Sequence, residues 1–111
     1  MTPVIDLSVI EVLRGFREEG EPDPIVELRA LFIADAAKHL QVLNAAAAAG
    51  DERTFRRTAH SLTGMSGTMG AMRLCSLSQA LEKTQPGAID RARLQALEAE
   101  LQRASDVLRS A

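Results

Sequence analysis

The stretch Thr58 to Ala71, TAHSLTGMSGTMGA, places one imidazole among residues that leave it open to a visitor. His60 is followed by Gly64, Gly67 and Gly70, and each glycine inside a helix costs about 1 kcal/mol relative to alanine. Three such residues argue that something must approach this helix closely. On a wheel of about 100° per residue with Ala59 at zero, Phe55, Leu62, Ser66 and Met69 share one sector, which is expected to enter a core. His60 points about 100° away from Ala59 and is expected to be at least partly exposed. Arg53 and Arg56 precede it on the same flank, Gly64 and Gly67 follow it, and Arg57 and Thr63 lie at the margins. A nucleophilic imidazole beside guanidinium groups and bare backbone suits phosphoryl transfer through the histidine. The arginines attract the anion, and the small residues let another protein's surface reach the ring.

The elements that must hold this helix are read from periodicity. Apolar residues recur at helical spacing almost throughout and no segment alternates with period two, so five helices and no sheet are expected. The first runs from about Leu7 to Glu18 and is closed by the glycine and prolines of Glu19 to Pro24. The second spans about Pro24 to Ala49, with proline in its first turn and Leu28, Phe32, Ala36, Leu40, Leu43 and Ala47 as its buried stripe. Gly50 stops it, and Asp51 is expected to cap the third helix by accepting from the amide of Arg53 or Thr54. Gly70 suits the end of the third helix, and Ala71 to Thr84 reads as a fourth carrying Leu74, Leu77 and Leu81. Gln85 to Gly87 is a turn. From Asp90, a second expected N-cap, Leu94, Leu97, Leu101, Ala104 and Leu108 form the stripe of a fifth. Short loops between long amphipathic helices give an all-α fold: an up-and-down antiparallel four-helix bundle with a short additional N-terminal helix.

Composition narrows the class. At 111 residues the chain fits one domain, residues 1–111, and 3% aromatics with no Trp or Tyr leave a core of Leu, Ile, Val, Ala and Met. A net charge of −2 without a like-charge block gives no reason to expect nucleic acid as a partner. One cysteine, no signal-peptide pattern and no run of roughly 20 apolar residues lead to a cytoplasmic, soluble expectation without direct membrane contact. GMSGTMG fits neither the dinucleotide fingerprint nor the Walker spacing, and no strand precedes it. His39 reads as a packed or boundary histidine and Cys75 as a small buried residue without a base. Met69 is expected in the core, and Met65 and Met72 could add an adaptable surface. Arg91, Arg93, Arg103 and Arg109 of the fifth helix alternate with acids as a solvated face. No metal ligand cluster surrounds either histidine.

The segment AHSLTGMSGTMGAMRLCSLSQALE resembles the signature of histidine-containing phosphotransfer (HPt) domains at His60, Leu62, Gly64, Gly70, Leu74, Leu81 and Glu82. IDLSVIEVLRGF, the long second helix and AAAAGD before the histidine helix extend the resemblance over nearly the whole chain. The resemblance implies a phosphorelay intermediate. His60 would accept a phosphoryl group from a receiver-domain aspartate and pass it to another response-regulator receiver, with a sensor or hybrid histidine kinase upstream. It implies a monomeric phosphocarrier with no catalytic centre or cofactor of its own, the Mg²⁺ belonging to the receiver. Docking is then expected on the second and third helices with the exposed side of the first, through Arg53, Gly64 and Gly67. The family usually carries lysine where this chain has Thr63, which removes a charge-assisted contact worth about 1.5–3 kcal/mol. Met65 also stands where the family has a small residue. Arg56 or Arg57 is expected to compensate, Arg56 being nearer His60 on the wheel. Two neighbouring readings share the helix motif: the phosphoacceptor domain of a chemotaxis-type histidine kinase, which the Gly67-Thr68 pair resembles, and a helical adaptor that has lost phosphotransfer.

Overall fold

The side chains that point inward from each helix meet in one core. Phe55, Ala59 and Leu62 of the histidine helix pack with Ile25, Phe32, Ala36 and Leu43 before it, and with Leu74, Leu81, Leu97 and Leu108 after it. Each large apolar side chain buried in this way contributes about 1.5–3 kcal/mol. The protein, seen here as a computed structural model, is described over residues 2–89 and 91–111. Its helices are α1 (Leu7–Gly15), α2 (Pro24–Ala49), α3 (Glu52–Thr68), α4 (Met72–Glu82) and α5 (Arg91–Ser110), with a 3₁₀ turn at Pro86–Ala88. No strand occurs among the described residues. α2 packs on α3, α3 on α4, α4 on α5, and α5 closes the ring against α2, which makes an up-and-down bundle with α1 as the extra helix.

Local chemistry sets the boundaries. The Asp23 carboxylate accepts from the Ile25 amide at 3.0 Å and starts α2, with Pro24 in the first turn where it forfeits no hydrogen bond. Gly50 stops α2 in the left-handed conformation, φ 69°. The Asp51 carboxylate accepts from the Thr54 amide at 3.2 Å and starts α3 within a single residue of turn. The Asp90 cap expected for α5 lies outside the described residues.

Three expectations need correction. α1 ends at Gly15 rather than near Glu18, because the Phe16 amide turns back to Leu13 and Arg14 in a closing turn. α4 is shorter than expected, Met72 to Glu82, and the chain turns at Pro86–Ala88 rather than Gln85 to Gly87. In α2 the fully buried positions are Ile25, Phe32, Ala36, Leu43 and Ala46, whereas Leu28 is 36% exposed and Leu40 and Ala47 are half-buried. Over 26 residues the stripe drifts, so a fixed list of positions spaced three and four apart leaves the core-facing sector at either end.

Gly70 joins the histidine helix to the rest of the fold. Its φ is 75°, and its carbonyl accepts from the Asp6 amide at 2.8 Å, docking the start of α1 on the α3–α4 turn. A Cβ here would lie 2.9 Å from the Asp6 carbonyl oxygen and 3.1 Å from the Val9 Cβ. Gly70→Ala therefore meets both backbone strain and a clash with main chain, and is expected to destabilise the fold by about 1–3 kcal/mol in urea or thermal unfolding. A stability equal to that of the parent would contradict this packing.

Candidate functional site

Phe55, Thr58, Ala59, Leu62 and Ser66 form the buried face of α3, Met69 just beyond its end is also buried, and His60 projects from the opposite flank with its side chain 77% exposed. The rotation expected from the wheel is the one observed. Wheel reasoning missed the group that holds the ring. Glu82, the last residue of α4, places Oε1 2.6 Å from His60 Nδ1. A carboxylate oxygen only accepts, so this contact favours hydrogen on Nδ1, which in the neutral ring leaves Nε2 as the nitrogen without one. The Thr63 hydroxyl donates to the Ala59 carbonyl at 2.9 Å and lies 3.4 Å from Glu82 Oε2. Its single hydrogen is thus engaged chiefly by the backbone of its own helix.

The arginines differ in their freedom. Arg56 is paired with Glu52 one turn before it on α3. Arg53 and Arg57 are exposed and make no ion pair among the described residues. Hydrogen bonding from the Thr54 side chain and then its backbone amide, with smaller help from the charges of Arg53 and Arg57, holds the Asp51 carboxyl below the usual carboxylate range. These two guanidinium groups are thus the unpaired positive charges at the start of α3.

Gly64 is exposed, and a Cβ built on it meets nothing within 4 Å. At Gly67, half-buried, a Cβ would make only an ordinary 3.8 Å contact with Cys75 Sγ. Neither glycine is required by packing within the chain. On the α2 side of the same helix, Leu28, Phe32, Asp35, Met65, Thr68 and Met69 line a groove of about 310 Å³. Met69 is buried, Met65 half-buried and Met72 exposed. His39 is a half-buried boundary residue whose Nδ1 lies 2.6 Å from the Asp35 carbonyl. Cys75 is half-buried rather than fully buried. The fifth-helix arginines are exposed as expected, but Arg103 leans toward Glu100 at 3.7 Å, and Arg73 of α4 binds that carboxylate at 2.9 Å. Glu100, 1% exposed, was not legible as an inward residue because the nearer of its two arginines, Arg73, comes from another helix.

A bundle that presents one carboxylate-held imidazole on an open helix face has the geometry of a carrier rather than of an enclosed catalytic cleft. The comparison with known proteins agrees. The family model of the Hpt domain matches residues 27–107, and the chain belongs to that family. It is a histidine phosphotransfer intermediate of the phosphorelay type, a class of phosphocarrier modules that work with receiver domains and histidine kinases. The crystal structure of histidine-containing phosphotransfer protein B (HptB) from Pseudomonas aeruginosa PAO1 is similar over 99% of this chain and 95% of that one, with 30% identity and a TM-score of 0.85. No match was found among curated proteins. No helix among the described residues is long and apolar enough to cross a membrane.

The open surroundings of Gly64 have a measurable consequence. Gly64→Ala adds a methyl group to free space and removes the helix penalty of glycine, so the fold is expected to gain up to about 1 kcal/mol in thermal or urea unfolding. A loss of stability would show that Gly64 serves packing after all.

Proposed function

We propose that His60 is the phosphoacceptor and that its Nε2 carries the phosphoryl group between receiver domains. The observation that carries this reading is the Glu82 carboxylate on Nδ1 of an exposed imidazole. Held there, the ring keeps its hydrogen on Nδ1 and presents the Nε2 lone pair outward. Nε2 attacks the phosphorus of a receiver's aspartyl phosphate, the N–P bond forms as the P–O bond to the aspartate breaks, and the aspartate leaves as carboxylate. The phosphorylated ring, still protonated at Nδ1, is positively charged, and Glu82 stabilises that charge. Attack by the carboxylate of a second receiver reverses the same bonds and frees the imidazole.

The chain brings position and charge, while the Mg²⁺ that polarises the phosphoryl oxygens belongs to the receiver. Arg56, Arg57 and Thr63 support the phosphoryl group in this reading. Arg57 is the readiest of the three, since Arg56 must first leave Glu52 and Thr63 is engaged with Ala59. Arg53, Gly64 and Gly67 form the docking face, continued by the apolar groove between α2 and α3. The protein acts as a cytoplasmic monomer, without nucleic acid or membrane contact.

Incubation with phosphorylated receiver domains is expected to give an acid-labile, alkali-stable label that is absent in His60→Gln. Label that persists in that variant would move the phosphoacceptor elsewhere. Arg57→Ala is expected to slow transfer more than Arg56→Ala, by about tenfold against twofold, the scale of one charge-assisted contact. The opposite order would restore Arg56 to the nearer role.

A further inference from the structure

We infer that Asp35 is a specificity-determining residue that orients receivers on the docking face and selects among them. The inference rests on the reading of His60 as phosphoacceptor and adds to it the kind of surface a partner must offer. Met65 and Thr68, which line the groove, lie five and eight residues past His60 on α3, or about 8 and 12 Å along the helix axis. They are also turned about 140° and 80° from it around the helix, toward α2, so a partner seated over His60 on the α2 side, with an ordinary interface of about 800 Å² per partner, reaches the groove as well. Its apolar wall, with Leu28 at its edge and Leu31, 54% exposed, on the same helix, supplies contact area that any receiver with an apolar patch can use. Such contact gives affinity with little discrimination.

Asp35 is the charged member of the lining, and its carboxylate makes no hydrogen bond or ion pair among the described residues. Its backbone carbonyl is used by His39, but its side chain is not. Lys38, three residues on, leaves it unpaired, and Glu27 is the other exposed acid on the neighbouring part of α2. By contrast Glu52 and Glu82, on α3 and α4, are engaged by Arg56 and His60. The face thus has two unpaired cations, Arg53 and Arg57, on the N-terminal side of His60, and an unpaired anion beside the groove on the C-terminal side. This charge axis across an apolar patch favours one docking orientation. The acidic, phosphoryl-bearing pocket of the partner lies over the arginines, and a cationic side chain of the partner meets Asp35. Receivers lacking a cation at that position, or carrying an acid there, are disfavoured through rate of encounter and specificity.

The test uses the full chain with phosphoramidate as a small phosphodonor and a panel of purified receiver domains. Wild type, Asp35→Asn and Asp35→Lys are expected to be labelled on His60 by phosphoramidate at equal rates, because a small donor does not touch the groove. Transfer from the labelled protein to the receivers that wild type prefers is expected to fall about tenfold or more in kcat/KM for Asp35→Lys and less for Asp35→Asn. The order of preference should change, and the differences should shrink at about 0.5 M salt. Unchanged rates and order across the panel would overturn the inference. If phosphoramidate and every receiver fail to label wild type, it is the phosphoacceptor reading that falls. Asp35 is then judged by receiver affinity alone in calorimetric titration, where equal Kd values for wild type and Asp35→Lys overturn it.

Discussion

The rotation of α3 about its own axis governs everything at the site. Phe55, Ala59, Leu62 and Ser66 are fully buried on one side, and turning the helix by one residue, about 100°, would carry them into solvent and His60 into the core. The energy that opposes such a turn is that of the core itself, several side chains at about 1.5–3 kcal/mol each. The imidazole therefore needs no constraint from its own surroundings to point outward. It inherits its direction from the packing behind it.

Direction along the helix is not enough, because an exposed histidine can spin about its side-chain bonds and exchange its ring hydrogen between nitrogens. α4 supplies the remaining constraint. The Gly70 turn returns the chain antiparallel to α3, and eleven residues of α4 bring Glu82 back beside His60. One carboxylate then interacts with the ring through Oε1 and lies near Thr63 through Oε2. Glu82 ends its helix, so the partial negative charge of the C-terminal carbonyls adds to that of the carboxylate in favouring a positively charged ring. The side of His60 away from α4 is left bare by Gly64, and the next apolar surface is the groove shared with α2. A held nitrogen, an open nitrogen and a bare approach path follow from how two short connections place three helices.

Much of this was legible in the sequence because it is local. The α2 boundaries follow from Asp23-Pro24 at one end and Gly50 at the other, the Asp51 cap from its position before the histidine helix, and the exposure of His60 from the wheel. The long α2 stripe was read less well, since Leu28 and Ile25 exchange roles as the helix drifts against its neighbours. The Glu52–Arg56 pair was within reach, being one helical turn apart. The role of Glu82 was out of reach of spacing arguments. It stands 22 residues from His60, and only the register of α4 against α3 brings the two together. Glu100 is a similar case, a buried acid on a charged helix whose carboxylate meets Arg73 from α4. Contacts between helices, not the helices themselves, carry the chemistry that the sequence leaves unread.

The claim that the fold prepares Nε2 by holding Nδ1–H on Glu82 can be observed directly in the imidazole nitrogens of His60 by ¹⁵N NMR of the unphosphorylated protein at a pH where the ring is neutral. The account expects Nδ1 to carry the hydrogen, with Nε2 showing the shift of an unprotonated nitrogen, and expects this preference to vanish in Glu82→Ala. A His60 ring protonated at Nε2 in the parent protein, or a preference unaltered by loss of Glu82, would contradict it.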